Sequence, residues 1–91
     1  MLAKQVIFEG NVQGVGFRYT VKDLSRGFDV CGWVKNCADG SVELVVMGEQ
    51  AEVESFIKEI SEESNVAHHI KKMTVEKVSL LVNCSGFKIE R

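Results

Sequence analysis

The sequence has 91 residues, of which 45% are apolar, and a formal net charge of −2. We expect one domain spanning residues 1–91 with a modest core. A slightly acidic chain does not favour a partner bound through counterion release, so nucleic acid is not expected as a ligand. The amino terminus lacks the layout of a signal peptide, and no apolar run approaches the roughly 20 residues of a membrane span. These features predict a cytoplasmic protein with no membrane partner.

The three cysteines leave at least one thiol unpaired within the chain. Cys31 and Cys37 would lie roughly 20 Å apart if both were on one extended strand, which is too far for a disulfide. A reduced protein is the simplest account, and a bond involving Cys84 stays open as the alternative.

A glycine-rich loop follows the first predicted strand, Lys4–Gly10. The nine residues Gly10–Arg18 contain three glycines, which let a backbone adopt positive φ and approach a ligand closely. Where such a loop enters a helix, successive N–H groups can point into one concavity and bind an anion. Arg18, in the first helical turn, adds donors that match phosphate oxygens. The loop therefore predicts a phosphate site; a strand-to-helix turn whose glycines serve only geometry is the competing interpretation.

The next segments predict a helix and a hairpin. Apolar residues recur at the spacing of one helix face, with Gly27 at the expected stop: Phe17, Val21, Leu24 and Phe28. Asp29–Asn36 and Ser41–Met47 alternate as strands, and the link Cys37–Gly40 carries the Asp-Gly signal of a hairpin turn.

A second helix and two more strands complete the pattern. The helix shows the i, i+3, i+4, i+7 spacing of an amphipathic face: Val53, Phe56, Ile57 and Ile60. The polar stretch Ser61–His69 is interpreted as a connection, Ile70–Val78 as a strand and Leu80–Val82 as an apolar patch in a loop. Phe87 and Ile89 mark a short last strand.

This β-α-β-β-α-β order predicts a ferredoxin-like α+β sandwich. We expect an antiparallel or mixed sheet with both helices on one face and a short extra C-terminal strand. Enzymes, RNA binders and regulatory modules share this fold, so it does not decide the function.

Asn36 is a second candidate functional residue, because it ends its strand just before the hairpin turn. An amide offers both an acceptor and a donor, so it can orient a nucleophilic water without acting as a base. This role requires that Asn36 lie beside the glycine loop. The alternative is a polar strand-end residue without a role. The adjacent His68 and His69 are interpreted as surface residues, because neighbours on a strand point to opposite faces and cannot bind one ion together.

Two motifs together resemble the signatures of the acylphosphatase family. The first is Gly10–Arg18, with the sequence GNVQGVGFR, and the second is Gly32–Asn36, GWVKN, followed by Asp39–Glu43, DGSVE. They occur in the right order and at the right separation, and the similarity covers nearly the whole chain. It is weakest over Ser61–Ser85, which has no proline where family members often have a Gly-Pro turn.

The resemblance implies a free-standing, monomeric acylphosphatase that hydrolyses small acyl phosphates to a carboxylate and inorganic phosphate. It implies that neither a metal nor another cofactor is needed, and that Arg18 and Asn36 are catalytic, Arg18 binding the phosphoryl group and Asn36 orienting the attacking water. The implied substrate-binding residues are those whose backbone N–H groups would contact the phosphoryl oxygens: Gln13, Gly14, Val15, Gly16 and Phe17.

The implied chemistry is physically reasonable, because an acyl phosphate has a good carboxylate leaving group and positioning plus charge stabilisation can suffice. A function of a different class is a non-catalytic module, either an RNA-reading sheet or a sensor of small anions. A related possibility is a domain inside a larger carbamoyl-transfer enzyme, although the chain has no zinc-finger cysteines.

Overall fold

The computed structural model describes residues 1–91 and contains two α-helices and five strands. In chain order these are β1 Leu2–Gly10, α1 Phe17–Ser25, β2 Val30–Asn36, β3 Val42–Gly48, α2 Gln50–Lys58, β4 Ile70–Val78 and β5 Phe87–Glu90. The predicted order of elements is confirmed. No helix is both long enough and apolar enough to cross a membrane.

The strands form one mixed sheet in the order β4-β1-β3-β2-β5. Strand β3 is antiparallel to both β1 and β2, whereas β5 runs parallel to β2. The predicted ferredoxin-like α+β fold with its extra C-terminal strand is therefore confirmed. Phe8 of β1 and Asn36 of β2 both pair with Val42 of β3, so the C-terminal ends of β1 and β2 lie at the same end of the sheet.

The core lies between the sheet and the two helices. Alternate residues of β1, β2 and β3 are fully buried on that face: Val6, Phe8, Val34, Val42, Leu44 and Val46. Phe17, the first residue of α1, packs on Phe8 with 5.0 Å between ring centroids. This contact fixes the start of α1, and with it the end of the glycine-rich loop, against the sheet.

The segment after α2 is more structured than the predicted polar connection. The helix continues as a π-turn over Glu59–Glu63, which buries Ile60, and a 3₁₀ turn covers Ala67–His69. Val66 is the one buried residue of the stretch 61–69, so the hydrophobic pattern there is too sparse to indicate a helical turn.

His68 and His69 lie in this 3₁₀ turn, and their rings stack with centroids 4.0 Å apart. The argument that they face opposite sides is therefore wrong, because a tight turn brings adjacent side chains together. The prediction of surface residues holds for His68, which is exposed, whereas His69 is half-buried. No group of three or more His, Cys, Asp or Glu side chains converges in the protein.

Residues 79–86, here called the crossover, connect β4 and β5 at opposite edges of the sheet. Cys84 in the crossover is bonded to Cys31 of β2, with 5.9 Å between the Cα atoms. Cys37 is the free thiol. The expectation of a fully reduced chain is thus wrong for this structure, and the bond to Cys84 is the alternative observed. The crossover makes this long-range contact, which residue spacing does not reveal.

Candidate active site

The glycine-rich loop connects β1 to α1 and has the backbone conformation that its sequence predicts. Gly10, Gly14 and Gly16 have φ values of +132°, +79° and +78°, a region that other residues rarely adopt. A Cβ atom at Gly14 or Gly16 would meet no protein atom within 4 Å. Neighbouring groups therefore leave the space beside these two glycines empty, and a ligand can approach the backbone there.

The loop is held by buried side chains and by Gln13. Val12 and Phe17 are buried in the core. The Gln13 side chain donates through Nε2 to the carbonyl oxygens of Cys37, at 2.8 Å, and Ser41, at 2.9 Å. These two bonds tie the loop to the β2–β3 turn. The sequence indicates a role only for the backbone N–H of Gln13. It does not indicate the role of the side chain, because the partners of that side chain are 24 and 28 residues away.

Asp39 stabilises the β2–β3 turn itself. Its Oδ1 accepts hydrogen bonds from the Ser41 Oγ–H, at 2.6 Å, and from the Ser41 backbone N–H, at 3.0 Å. Both bonds lower the pKa of Asp39 below its ordinary value, the bond from the hydroxyl more than the bond from the backbone N–H. The turn that follows Asn36 is therefore stabilised by hydrogen bonds within it, to Asp39, and by hydrogen bonds from the Gln13 side chain of the glycine-rich loop.

A cavity of about 180 Å³ brings Arg18 and Asn36 together. Its walls are formed by Val12, Gly14, Gly16, Phe17, Arg18, Tyr19 and Asn36. Of the predicted site residues, Gln13 and Val15 do not line it. No hydrogen bond within the protein engages the partly exposed Asn36 amide, so its oxygen and its NH₂ group can both contact a water molecule.

Positive charge at this cavity is not neutralised by the protein. Arg18 forms no ion pair, and its one side-chain hydrogen bond is a long one of 3.5 Å from Nη1 to the carbonyl oxygen of Glu90. The N-terminus of α1 has no side-chain cap and no acidic residue in its first turn, which leaves backbone N–H groups unpaired. An anion would be attracted here although the chain as a whole is acidic.

Known proteins share both the sequence and this fold. The acylphosphatase family model matches residues 4–89. An acylphosphatase from Lactobacillus gasseri is 43% identical over 70 residues, 77% of each chain, and one from Bacillus pumilus is 37% identical over 90 residues, 99% of each chain. The crystal structure of acylphosphatase from Bacillus subtilis superposes with a TM-score of 0.90 at 33% identity, covering 100% of both chains. A full-length HypF in its phosphate- and nucleotide-bound form contains a similar unit, with a TM-score of 0.84 and 30% identity, of which this chain covers 12%. The chain therefore belongs to the acylphosphatase family of hydrolytic enzymes.

Proposed function

We propose that this enzyme hydrolyses acyl phosphates to a carboxylate and inorganic phosphate at the cavity between the glycine-rich loop and β2. Arg18 and the backbone N–H groups of residues 13–17 hold the phosphoryl group, and Asn36 orients the attacking water. The observation that carries the proposal is that Arg18 and Asn36, 18 positions apart in sequence, line one cavity.

Phosphate binding follows from the charge and the shape of the loop. The phosphoryl group of an acyl phosphate is dianionic, so it needs several donors directed at its free oxygens. Arg18 has an unpaired guanidinium that can bind two of these oxygens at once, and the uncapped N-terminus of α1 adds N–H groups. The space beside Gly14 and Gly16 admits the oxygens close to the backbone.

The water is activated by orientation rather than by a base. The Asn36 side-chain oxygen accepts a hydrogen bond from one O–H of the water, which turns an oxygen lone pair toward phosphorus. The water oxygen then bonds to phosphorus while the bond from phosphorus to the carboxylate oxygen breaks, and the carboxylate leaves with that electron pair. Because an amide cannot take up the water proton, that proton passes to a phosphoryl oxygen. The products are a carboxylate and dihydrogen phosphate, which can then lose a proton to the solvent.

We propose that no metal or other cofactor takes part, because the carboxylate leaves without an acid and Arg18 supplies the positive charge. We further propose that residues 1–91 act as one monomeric domain in the cytoplasm. In a reducing compartment the bond between Cys31 and Cys84 would be open, and neither sulfur lines the cavity.

The test is hydrolysis of benzoyl phosphate in the presence of EDTA. We expect Arg18→Ala to lose most turnover and to bind inorganic phosphate, measured as a competitive inhibitor, much more weakly. Asn36→Ala should lower kcat by about 10²–10³ with phosphate inhibition nearly unchanged, the usual cost of one positioned polar group. The matched control is Arg26→Ala, because this exposed arginine at the other end of α1 pairs only with Asp23.

Three results would contradict the proposal. Turnover in Asn36→Ala equal to that of the unaltered enzyme would exclude the water-orienting role. Equal losses in Arg18→Ala and Arg26→Ala would show that general positive charge, and not the binding of the phosphoryl group by Arg18, supports turnover. Activity that disappears with EDTA and returns with added Mg²⁺ would refute metal independence.

A further inference from the structure

A second pocket, here called the hollow, adjoins the cavity that contains Arg18 and Asn36, here called the phosphate cavity. Its volume is about 330 Å³, and it is lined by Tyr19, Thr20, Asp23, Leu24, Ser64 and Asn65. Tyr19 lines both spaces. The hollow lies between α1 and the turn that follows the π-turn Glu59–Glu63.

Tyr19 is an exposed aromatic residue that is not part of the hydrophobic core. Its side chain is among the large apolar groups left in solvent, with 68% of the residue accessible, and its hydroxyl makes no hydrogen bond within the protein. In a helix a long side chain leans toward the N-terminus, which for Tyr19 is the direction of the glycine-rich loop. A ring in this position offers an apolar face to whatever leaves the phosphate cavity on that side.

We propose that this hollow is the acyl subsite of the enzyme and that Tyr19 is its specificity-determining residue. The inference rests on the proposed function, because it assumes that the phosphoryl group occupies the cavity beside Arg18. The acyl group is attached to that phosphoryl group, so it must extend out of the cavity. Passing over the Tyr19 ring brings it to the hollow, where Leu24 adds a second apolar contact.

The lining selects a class of acyl group. It contains an aromatic ring, a leucine side chain and the neutral polar side chains of Thr20, Ser64 and Asn65, but no lysine or arginine. The only charge is the carboxylate of Asp23, which pairs with Arg26 at 2.8 Å. An acyl group with a second carboxylate would find no countercharge. The subsite therefore fits neutral aromatic or bulky aliphatic acyl groups and disfavours dicarboxylic ones.

The test uses benzoylphosphonate and acetylphosphonate, acyl phosphate analogues whose carbon–phosphorus bond resists hydrolysis. Calorimetric titration of the unaltered protein should show benzoylphosphonate binding about tenfold more tightly, a typical value for one apolar group in a pocket. Tyr19→Ala should reduce this preference to about twofold or less, whereas Tyr19→Phe, which keeps the ring, should retain it. Asn65→Trp, an exposed substitution that fills the hollow, should also reduce the preference. Val82→Ala removes an exposed apolar side chain in the crossover and serves as the control with the preference intact.

Each outcome decides the proposal. Equal affinity of the unaltered protein for the two phosphonates, or an unchanged preference in Tyr19→Ala, would overturn the subsite. An equal weakening of both analogues in Tyr19→Ala would also overturn it, because Tyr19 would then act on the phosphoryl group that both analogues share and not on the acyl group. A preference that depends on Tyr19 in a protein that hydrolyses no acyl phosphate would support the subsite and refute the proposed function.

Discussion

Breaking the bond between Cys31 and Cys84 should strongly destabilise the fold. The two residues are 53 positions apart, and the loop between them includes β3, α2 and β4. Closing a loop of that length lowers the entropy of the unfolded chain by an amount worth about 4 kcal/mol at 25 °C. Because small proteins have total stabilities of roughly 5–15 kcal/mol, Cys84→Ser should remove a large part of the free energy of unfolding.

The assay is urea denaturation followed by the fluorescence of Trp33, the single tryptophan. The oxidised protein should unfold at the highest urea concentration. Dithiothreitol should shift its midpoint to that of Cys84→Ser, on which the reductant has no effect. Cys37→Ser is the matched control, because Cys37 is the free thiol, and it should keep the oxidised stability. Hydrolysis of benzoyl phosphate in the absence of urea should be nearly the same in all forms, because neither bonded sulfur lines the cavity.

Two results would refute this reasoning. Alkylation of the unreduced, unfolded protein should label one thiol, and labelling of three would show that the bond does not form. If one thiol is labelled but reduction leaves the urea midpoint unchanged, the bond forms but does not stabilise the folded protein by restricting the unfolded chain.

Three further substitutions test how the loop and the hairpin are held. Gln13→Ala removes both bonds to the β2–β3 turn, and it should lower kcat about tenfold with little change in melting temperature, because the loop and the Asn36 amide, in its proposed role, lose their fixed spacing. A drop in melting temperature with no change in kcat would make the residue merely structural. Gly32→Ala should lower the free energy of unfolding, measured by urea denaturation, by more than about 3 kcal/mol, because its Cβ would lie 1.9 Å from the Val45 carbonyl oxygen. Gly27→Ala is the control and should fold normally, because the nearest contact of its Cβ is at 3.5 Å. Asp39 has a pKa lowered below 3.8, so its bonds stabilise the fold above that pH and lose this effect as the carboxylate is protonated. The stability difference between the unaltered protein and Asp39→Ala should therefore disappear as the pH falls below 3.8, and a difference that persisted there would refute the role of the charge.

Much of the fold could be predicted from local patterns. The alternation in Ser41–Met47 and the Asp-Gly turn signal identify the hairpin, and the structure pairs its strands antiparallel with Val42, Leu44 and Val46 fully buried. The glycine spacing likewise indicates a loop with positive φ before α1. These features depend on residues a few positions apart, which is the range over which sequence patterns are informative.

The features that escaped prediction are long-range contacts. The Gln13 side chain meets carbonyl groups whose position depends on the register of β1 and β2 against β3. The bond between Cys31 and Cys84 depends on the path of the crossover, which no repeat or spacing indicates. Tyr19 acquires its place between two hollows only when α1 packs beside the turn at Ser64.

The long hydrogen bond from Arg18 to the Glu90 carbonyl has a consequence for the synthesis of the protein. The two residues are 72 positions apart, so at about 5–20 residues per second a ribosome adds Glu90 roughly 4–14 s after Arg18. Strand β2, which carries Asn36, likewise waits for β5 to arrive as its parallel neighbour. The glycine-rich loop is therefore among the first parts of the molecule to be made, and the candidate active site that contains it is among the last to be completed.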